Sequence, residues 1–258
     1  MHCTLFIPGL FGQAGPQLAA LPDDRLPGMS RLLARAAAKR YAAIGTSAWL
    51  CEAWEVPPQP DYPVAALTLP LDGGTADERH WLRADPAHIE VGRSGLMLIE
   101  PDLLSITPDE AAALSATINR HLESDGLRIH ALNPARWYLA SSEPFGLETL
   151  PLDETPGRDL GDCQPRGRDA LRWHRLTNEI QMLLHEHPVN AARDDAGAPA
   201  INSIWLWGSG AMPRVPGRPY GAVWSDEPLA QALSTRASTP CLPVPPDAAG
   251  WFADREKA

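Results

Sequence analysis

The sequence predicts a mixed α/β protein, an α/β core interrupted by an inserted α+β domain. Three observations predict it. A short apolar run followed by a helical pattern opens the chain, and the same strand–helix alternation returns in its last third. Between them lies a block of strands around one helix, about 65 residues long, enough for a small domain. A proline- and glycine-rich stretch then leads back. The expected organisation is 1–74 as the first part of the core, 75–168 as the insert with its return linker, and 169–258 as the second part of the core.

Cys3-Thr4-Leu5-Phe6-Ile7 reads as a short buried strand stopped by Pro8-Gly9. From Leu26 to Tyr41, apolar Met29, Leu32, Leu33 and Ala36 mark one face of a helix, with Pro27 at its start. A short helix or turn covers Ser47 to Trp54. In the middle block, His80–Arg83, His88–Val91 and Leu96–Glu100 read as strands, the last two joined in a hairpin by Gly92-Arg93-Ser94-Gly95. The strongest local signal is Thr107-Pro108-Asp109-Glu110. Thr107 caps a helix, Pro108 suits its first position, and Glu110 completes a capping box. That helix runs to about Glu123, with Ala111, Leu114, Ile118 and Leu122 inward, and ends at Asp125-Gly126. Strands Leu127–Ala131 and Arg136–Ala140 follow. Asp169–His187 is a helix ended by Pro188; Ser203–Trp207 a strand closed by Gly208-Ser209-Gly210; Gly221–Trp224 a strand; Pro228–Leu233 a helix; and Pro240–Val244 a last strand.

Composition narrows the function. Apolar residues are 44% of the 258, an ordinary globular share. The net charge of −10 lacks the footprint of a nucleic-acid binder and would be repelled by an anionic membrane surface. No apolar run approaches the roughly 18 residues of a membrane span, and the N-terminal stretch is read as carrying no secretory leader. Cys3, Cys51, Cys163 and Cys241 are scattered and form no C-x-x-C pair, which suits a reducing cytoplasm.

The chemistry-bearing residues are sparse. His185 and His187 diverge by about 200° on a helix and cannot share an ion there. Asp85 and His88 flank Pro86 and read as a strand-end turn. No G-x-S-x-G, H-E-x-x-H, P-loop or G-x-G-x-x-G is present. Gly208-Ser209-Gly210 either lets backbone approach a ligand or makes a tight turn. Asn190 and Asn202 lock an irregular loop between His187 and Asn202, and Arg193 either grips an anion or pairs with Asp194 or Asp195. The tryptophans read as core rather than as a binding platform.

His80-Trp81-Leu82-Arg83-Ala84-Asp85-Pro86-Ala87-His88, Asn178 to Asn190, and Ile201-Asn202-Ser203-Ile204-Trp205-Leu206-Trp207-Gly208 resemble the bacterial RpfE-type regulatory protein family over nearly the whole chain. That family in turn resembles the archaeal-type cofactor-independent phosphoglycerate mutases of the alkaline-phosphatase superfamily. The resemblance implies an alkaline-phosphatase-like core sheet flanked by helices. Phe6-Ile7-Pro8-Gly9 falls where the mutases hold a metal with Asp-Gly. Gly45-Thr46-Ser47 falls at their phosphorylated nucleophile, so the resemblance makes Thr46 the candidate catalytic residue. Leu82-Arg83-Ala84-Asp85 and Arg136-Trp137-Tyr138 resemble parts of their inserted domain that handle carboxylate and phosphate.

The departures carry the functional expectation. Pro8 has no ligating side chain, and no histidine follows His187, whereas the relatives draw Asp and His ligands from the C-terminal part of the core. A two-metal site stabilises both attacking and leaving oxygens, and losing one such partner costs about 100- to 1000-fold in rate. The expectation is a degenerate, non-catalytic mutase-like protein with a regulatory or binding role. Arg83, Arg136, Arg193, Asn190 and Asn202 are its candidate ligand-binding residues, since arginine forks suit both anions; the plainer alternative is that the arginines pair with nearby acids such as Asp85. No cofactor is expected; two Mn or Zn ions belong to the alternative of an active mutase or phosphohydrolase. A purely structural interaction module is the third reading. The expected partners are a small phosphorylated metabolite and a regulatory protein, with no nucleic acid and no membrane.

Overall fold

The computed structural model describes residues 3–7, 35, 45–92, 95–99, 103–155 and 158–246. The chain divides into two compact units, Met1–Thr46 and Ser47–Ala258. In the first, residues 3–7 form no strand, and Leu5 is 60% exposed, so the expected buried opening strand is corrected. The expected helix Leu26–Tyr41 lies outside the described residues except at Arg35.

The elements are α1 (Thr46–Ala53), α2 (Val64–Thr68), β1 (His80–Gly92), β2 (Gly95–Ile99), α3 (Pro108–Leu122), β3 (Arg128–Asn133), β4 (Arg136–Ser141), α4 (Ala170–His185), α5 (Pro188–Asp195), β5 (Ser203–Ala211), β6 (Val223–Trp224), α6 (Pro228–Arg236) and β7 (Cys241–Leu242). The class is mixed α/β, with a central antiparallel sheet and helices. Its strand order is β2-β1-β4-β3, and β5 also pairs with β1; β6 and β7 form a separate parallel pair. The expected boundaries at 74/75 and 168/169 both fall inside the second unit. The reason is β5. Read from the sequence as part of a returning core, it pairs along β1 from His80 to Ala87, in the same sheet as β4.

β1 is the spine. Two strands expected at 80–83 and 88–91 are one strand of 13 residues running straight through Pro86. Ala87 and Ile89 turn their backbone toward the β5 side, where Asn202 N–H donates to Ala87 C=O and Asn202 Oδ1 accepts from Ile89 N–H. Pro86, one residue before Ala87 and so out of phase with both, faces the other side. There the β4 pairing has ended at Arg83 and the β2 pairing starts only at His88. The missing N–H of Pro86 therefore removes no ladder bond, and Asp85 and His88 lie within a strand rather than at a strand-end turn. The hairpin closes with Gly92 opposite Gly95, as expected.

Alternation along β1 and β4 sorts the core. Leu82, Ala84, Trp137 and Leu139 face α3 and α4, whose Leu114, Ile118, Leu122, Trp173, Ile180 and Leu184 complete the main cluster. Trp81, Tyr138 and Ala140 face the other way, onto Ala65 and Ala66 of α2 and Leu69 just beyond it. The capping box of α3 is formed in full: Thr107 Oγ1 accepts from Glu110 N–H, and Glu110 accepts from Thr107 N–H at 2.8 Å.

Two expectations about loops are corrected. The segment after His187 is helix α5, because His187 and Pro188 start a new turn instead of only ending the old one. His187 is its N-cap, and its Nδ1 accepts from Val189 N–H at 3.2 Å. Gly208-Ser209-Gly210 is neither a ligand loop nor a turn but the interior of β5. A Cβ at Gly210 would sit 2.7 Å from Pro63 Cβ, and one at Gly208, where φ is +67°, 3.0 Å from Val64 Cβ. The glycines let the start of α2 lie directly on the strand. No helix among the described residues is long and apolar enough to cross a membrane.

Candidate functional site

The two arginines singled out from the middle block meet on the α2 face of the sheet. Arg83 and Asp85 are two apart on β1, and Arg136 and Tyr138 two apart on β4, so each pair projects to one side. Arg83 is 4% exposed and grips fully buried Asp85 with a two-pronged fork, Nε to Oδ1 at 2.9 Å and Nη2 to Oδ2 at 2.8 Å. Asp85 accepts two further N–H donors, Trp137 N at 3.0 Å and Trp207 Nε1 at 2.7 Å. Burial pushes the Asp85 carboxyl pKa up; the Arg83 charge and these hydrogen bonds act against that. The Arg83 guanidinium lies between two rings, 5.2 Å from Tyr138 and 5.1 Å from Trp207.

Thr68, at the end of α2, connects this pair to Arg136. Its hydroxyl lies 3.4 Å from Arg83 Nη1 and 3.3 Å from Tyr138 OH, and it donates back to Val64 C=O. Tyr138 OH also reaches Asp72, which Arg136 holds through both Nε and Nη2. Burial alone would raise the Asp72 pKa; the hydrogen bonds from Arg136 and Tyr138, with the charges of Arg136 and Arg83, hold it below the usual carboxylate value. The Arg136 side chain is 26% exposed, so the network is closed at Arg83 and open at Arg136.

The other candidates lie elsewhere. Arg193 is on the α3 side of the sheet. Its Nη1 holds Glu110 at 2.9 Å, its Nη2 Leu104 C=O at 2.6 Å and its Nε Pro199 C=O at 2.7 Å. It pairs with Glu110, not with the neighbouring Asp194 or Asp195. Asn190 ties Leu184 C=O to the backbone of Ile201, and Asn202 clasps the N–H and C=O of Ile89. These three residues spend these polar atoms on the chain itself, and Arg193 does not converge with Arg83 and Arg136: the sheet separates them. Thr46 belongs to the first unit and is the first residue of α1.

Sequence reading passed over Thr68 and Asp72, named Tyr138 only within the Arg136 motif, and took Trp207 as core. The Arg-x-Asp and Arg-x-Tyr spacings on two strands were the available signal, because period-two spacing puts both members on one face. Nothing local announces that Asp72 arrives from the turn after α2. A second polar clamp joins the loop before α2 to β5. Asp61 takes the Thr149 hydroxyl at 2.5 Å and its N–H at 2.9 Å, while Thr149 Oγ1 accepts from Gly208 N–H at 3.2 Å. Burial raises the Asp61 pKa despite these bonds. Among the described residues, no three His, Cys, Asp or Glu side chains gather as a metal ion would require, so these residues offer no fit to a metal pair.

No family model matches the sequence. The chain is 31% identical over 111 residues to the 2,3-bisphosphoglycerate-independent phosphoglycerate mutase of Methanosarcina mazei, covering 42% of this chain and 28% of that protein. It is 36% identical over 154 residues to a probable enzyme of the same name from Geobacter sulfurreducens, covering 59% and 38%. The chain thus spans less than two fifths of the length of either relative. A cofactor-independent phosphoglycerate mutase from Thermoplasma acidophilum superposes with a TM-score of 0.43 at 20% identity, over 79% of this chain and 55% of that one. Over the matched residues, the chain is phosphoglycerate-mutase-like.

Proposed function

We propose that this chain is an RpfE-type, degenerate phosphoglycerate-mutase-like protein of the bacterial cytoplasm. It has no mutase turnover, and it binds a small phosphorylated metabolite in a regulatory role, alone or with a regulatory protein partner. The observation that carries the reading is the meeting of Arg83 and Arg136 in one network whose outer arginine faces solvent. An incoming carboxylate or phosphate would exchange with Asp72 for the Arg136 fork, with the Arg83 charge behind it. Thr46 is the nucleophile position only under the alternative of an active mutase or phosphohydrolase, which would need two divalent ions. The third reading, a structural interaction module, is favoured by a specific feature: both arginine forks are already held by the protein's own carboxylates.

The test is titration of the full chain with 3-phosphoglycerate, followed by thermal unfolding, beside a coupled mutase assay with Mn or Zn added. Ligand at about 100 times its dissociation constant stabilises by about 2.7 kcal/mol. A saturable rise in Tm, reduced in Arg136→Met, with no turnover, supports the binding role. No rise at millimolar ligand leaves the structural module, and turnover in pure protein makes it an enzyme.

A further inference from the structure

β3 pairs with β4 on one side, and among the described residues no strand pairs with its other edge. That open edge is one wall of a groove of about 560 Å3, and α3 is the other wall. Asn119 of α3 reveals how the edge is used: it accepts from Ile129 N–H at 2.7 Å and donates to Ile129 C=O at 2.9 Å. One side chain makes the two bonds that a residue of a neighbouring strand would make. Past this clamp the groove is lined by the small side chains of Ala112, Ser115 and Ala116 on α3 and by Ala131 and Leu132 on β3. The rim is basic. Arg120 and Arg128 are exposed and His130 is half-buried, against one acid, Glu123. Burial first, then the charges of Arg128 and Arg79, lower the His130 pKa against the opposing charge of Asp77, so the positive charge of the rim is that of Arg120 and Arg128. In a chain of net charge −10, this is a local reversal of sign.

We propose that this groove binds an extended acidic peptide segment of a partner protein. The segment adds as a strand to β3 at Ala131, with its carboxylates on Arg120 and Arg128. Main-chain hydrogen bonds along an open edge supply affinity, and flanking charge supplies selectivity. The surface is independent of Arg83 and Arg136, so either assignment can fail without the other.

The test is fluorescence anisotropy on the full chain with a labelled eight-residue peptide alternating Glu and Val. The controls are the same peptide with Lys for Glu and a short single-stranded DNA. Amide exchange at Ala131 is followed in parallel. Saturable binding of the Glu peptide is expected, at least tenfold weaker in Arg120→Glu/Arg128→Glu, with slowed exchange at Ala131. Ala116→Trp, at an exposed helix position, fills the groove and should abolish binding without altering the charge. Equal binding of the Lys peptide or the DNA, no saturable binding of the Glu peptide, or unchanged exchange at Ala131 on binding would each overturn the proposal.

Discussion

Asp85 is the acceptor on which Arg83, Trp137 and Trp207 converge, and it is fully buried. Asp85→Asn keeps the shape but removes the charge, turns an NH2 group toward N–H donors, and leaves the Arg83 guanidinium buried without a counter-ion. Breaking a buried pair from one side costs about 3–5 kcal/mol. In a unit the size of 47–258, each kcal/mol moves Tm by roughly 2–4 °C, so a fall on the order of 10 °C is expected. Arg83→Met should cost a similar amount, because it leaves the carboxylate with only two neutral donors. The double variant Arg83→Met/Asp85→Asn removes both charges, so its cost should fall short of the sum of the singles by about 2–3 kcal/mol. Urea titration followed by tryptophan fluorescence reads all four proteins, and Trp207 reports from inside the network. Singles costing under about 1 kcal/mol, or a strictly additive double, would refute the claim that these side chains act as one unit.

Three other outcomes follow from the packing. Gly210→Ala should destabilise by about 1–3 kcal/mol, because its Cβ meets Pro63, whereas Gly217→Ala, whose Cβ would meet nothing within 4 Å, should be near neutral in the same denaturation assay. Arg193→Met should cost about 3 kcal/mol by leaving Glu110 Oε1 and two backbone carbonyls without their donor, and Arg193→Lys should not restore it, since one ammonium cannot span all three; thermal unfolding of both variants checks this. His187 caps α5 through a bare Nδ1, so it must be neutral, and burial and Arg120 lower its pKa. A base with a lowered folded pKa binds its proton more readily when unfolded. Its stabilisation is therefore present above the ordinary value of 6.5 and lost as pH falls through the folded pKa. His187→Asn keeps a cap acceptor and should flatten the loss between pH 7.5 and 5 in urea melts. Part of the slope should persist, because the His130 pKa is lowered too.

What the sequence disclosed and what it hid divide along one physical line. The capping box at Thr107 and the hairpin closed by Gly92 and Gly95 were legible because the residues that decide them are neighbours in the chain. Arg83 and Arg136 were legible as a pair only through resemblance. Their meeting depends on β1 lying beside β4 and on Asp72 arriving from another part of the chain. Pro86 was misread as an interruption because a proline inside a strand is acceptable only when the unbonded side is known, and the neighbours that leave that side open, β4 and β2, lie at different ends of β1. Gly208 and Gly210 were left between turn and ligand contact for the same reason: their role is the approach of Pro63 and Val64, some 145 residues earlier in the chain. The placement of β5 follows suit. Local alternation assigned it to a returning core, yet its partner is β1, and only long-range pairing could decide this. The functional consequence is specific. Because β5 supplies Trp207 to the Arg83–Asp85 pair, the candidate site is completed by the very strand that sequence periodicity placed outside it. Changes at Trp207 should therefore reach the arginines directly, whereas changes at Ile204 and Leu206 of the same strand should reach the helices on the opposite face.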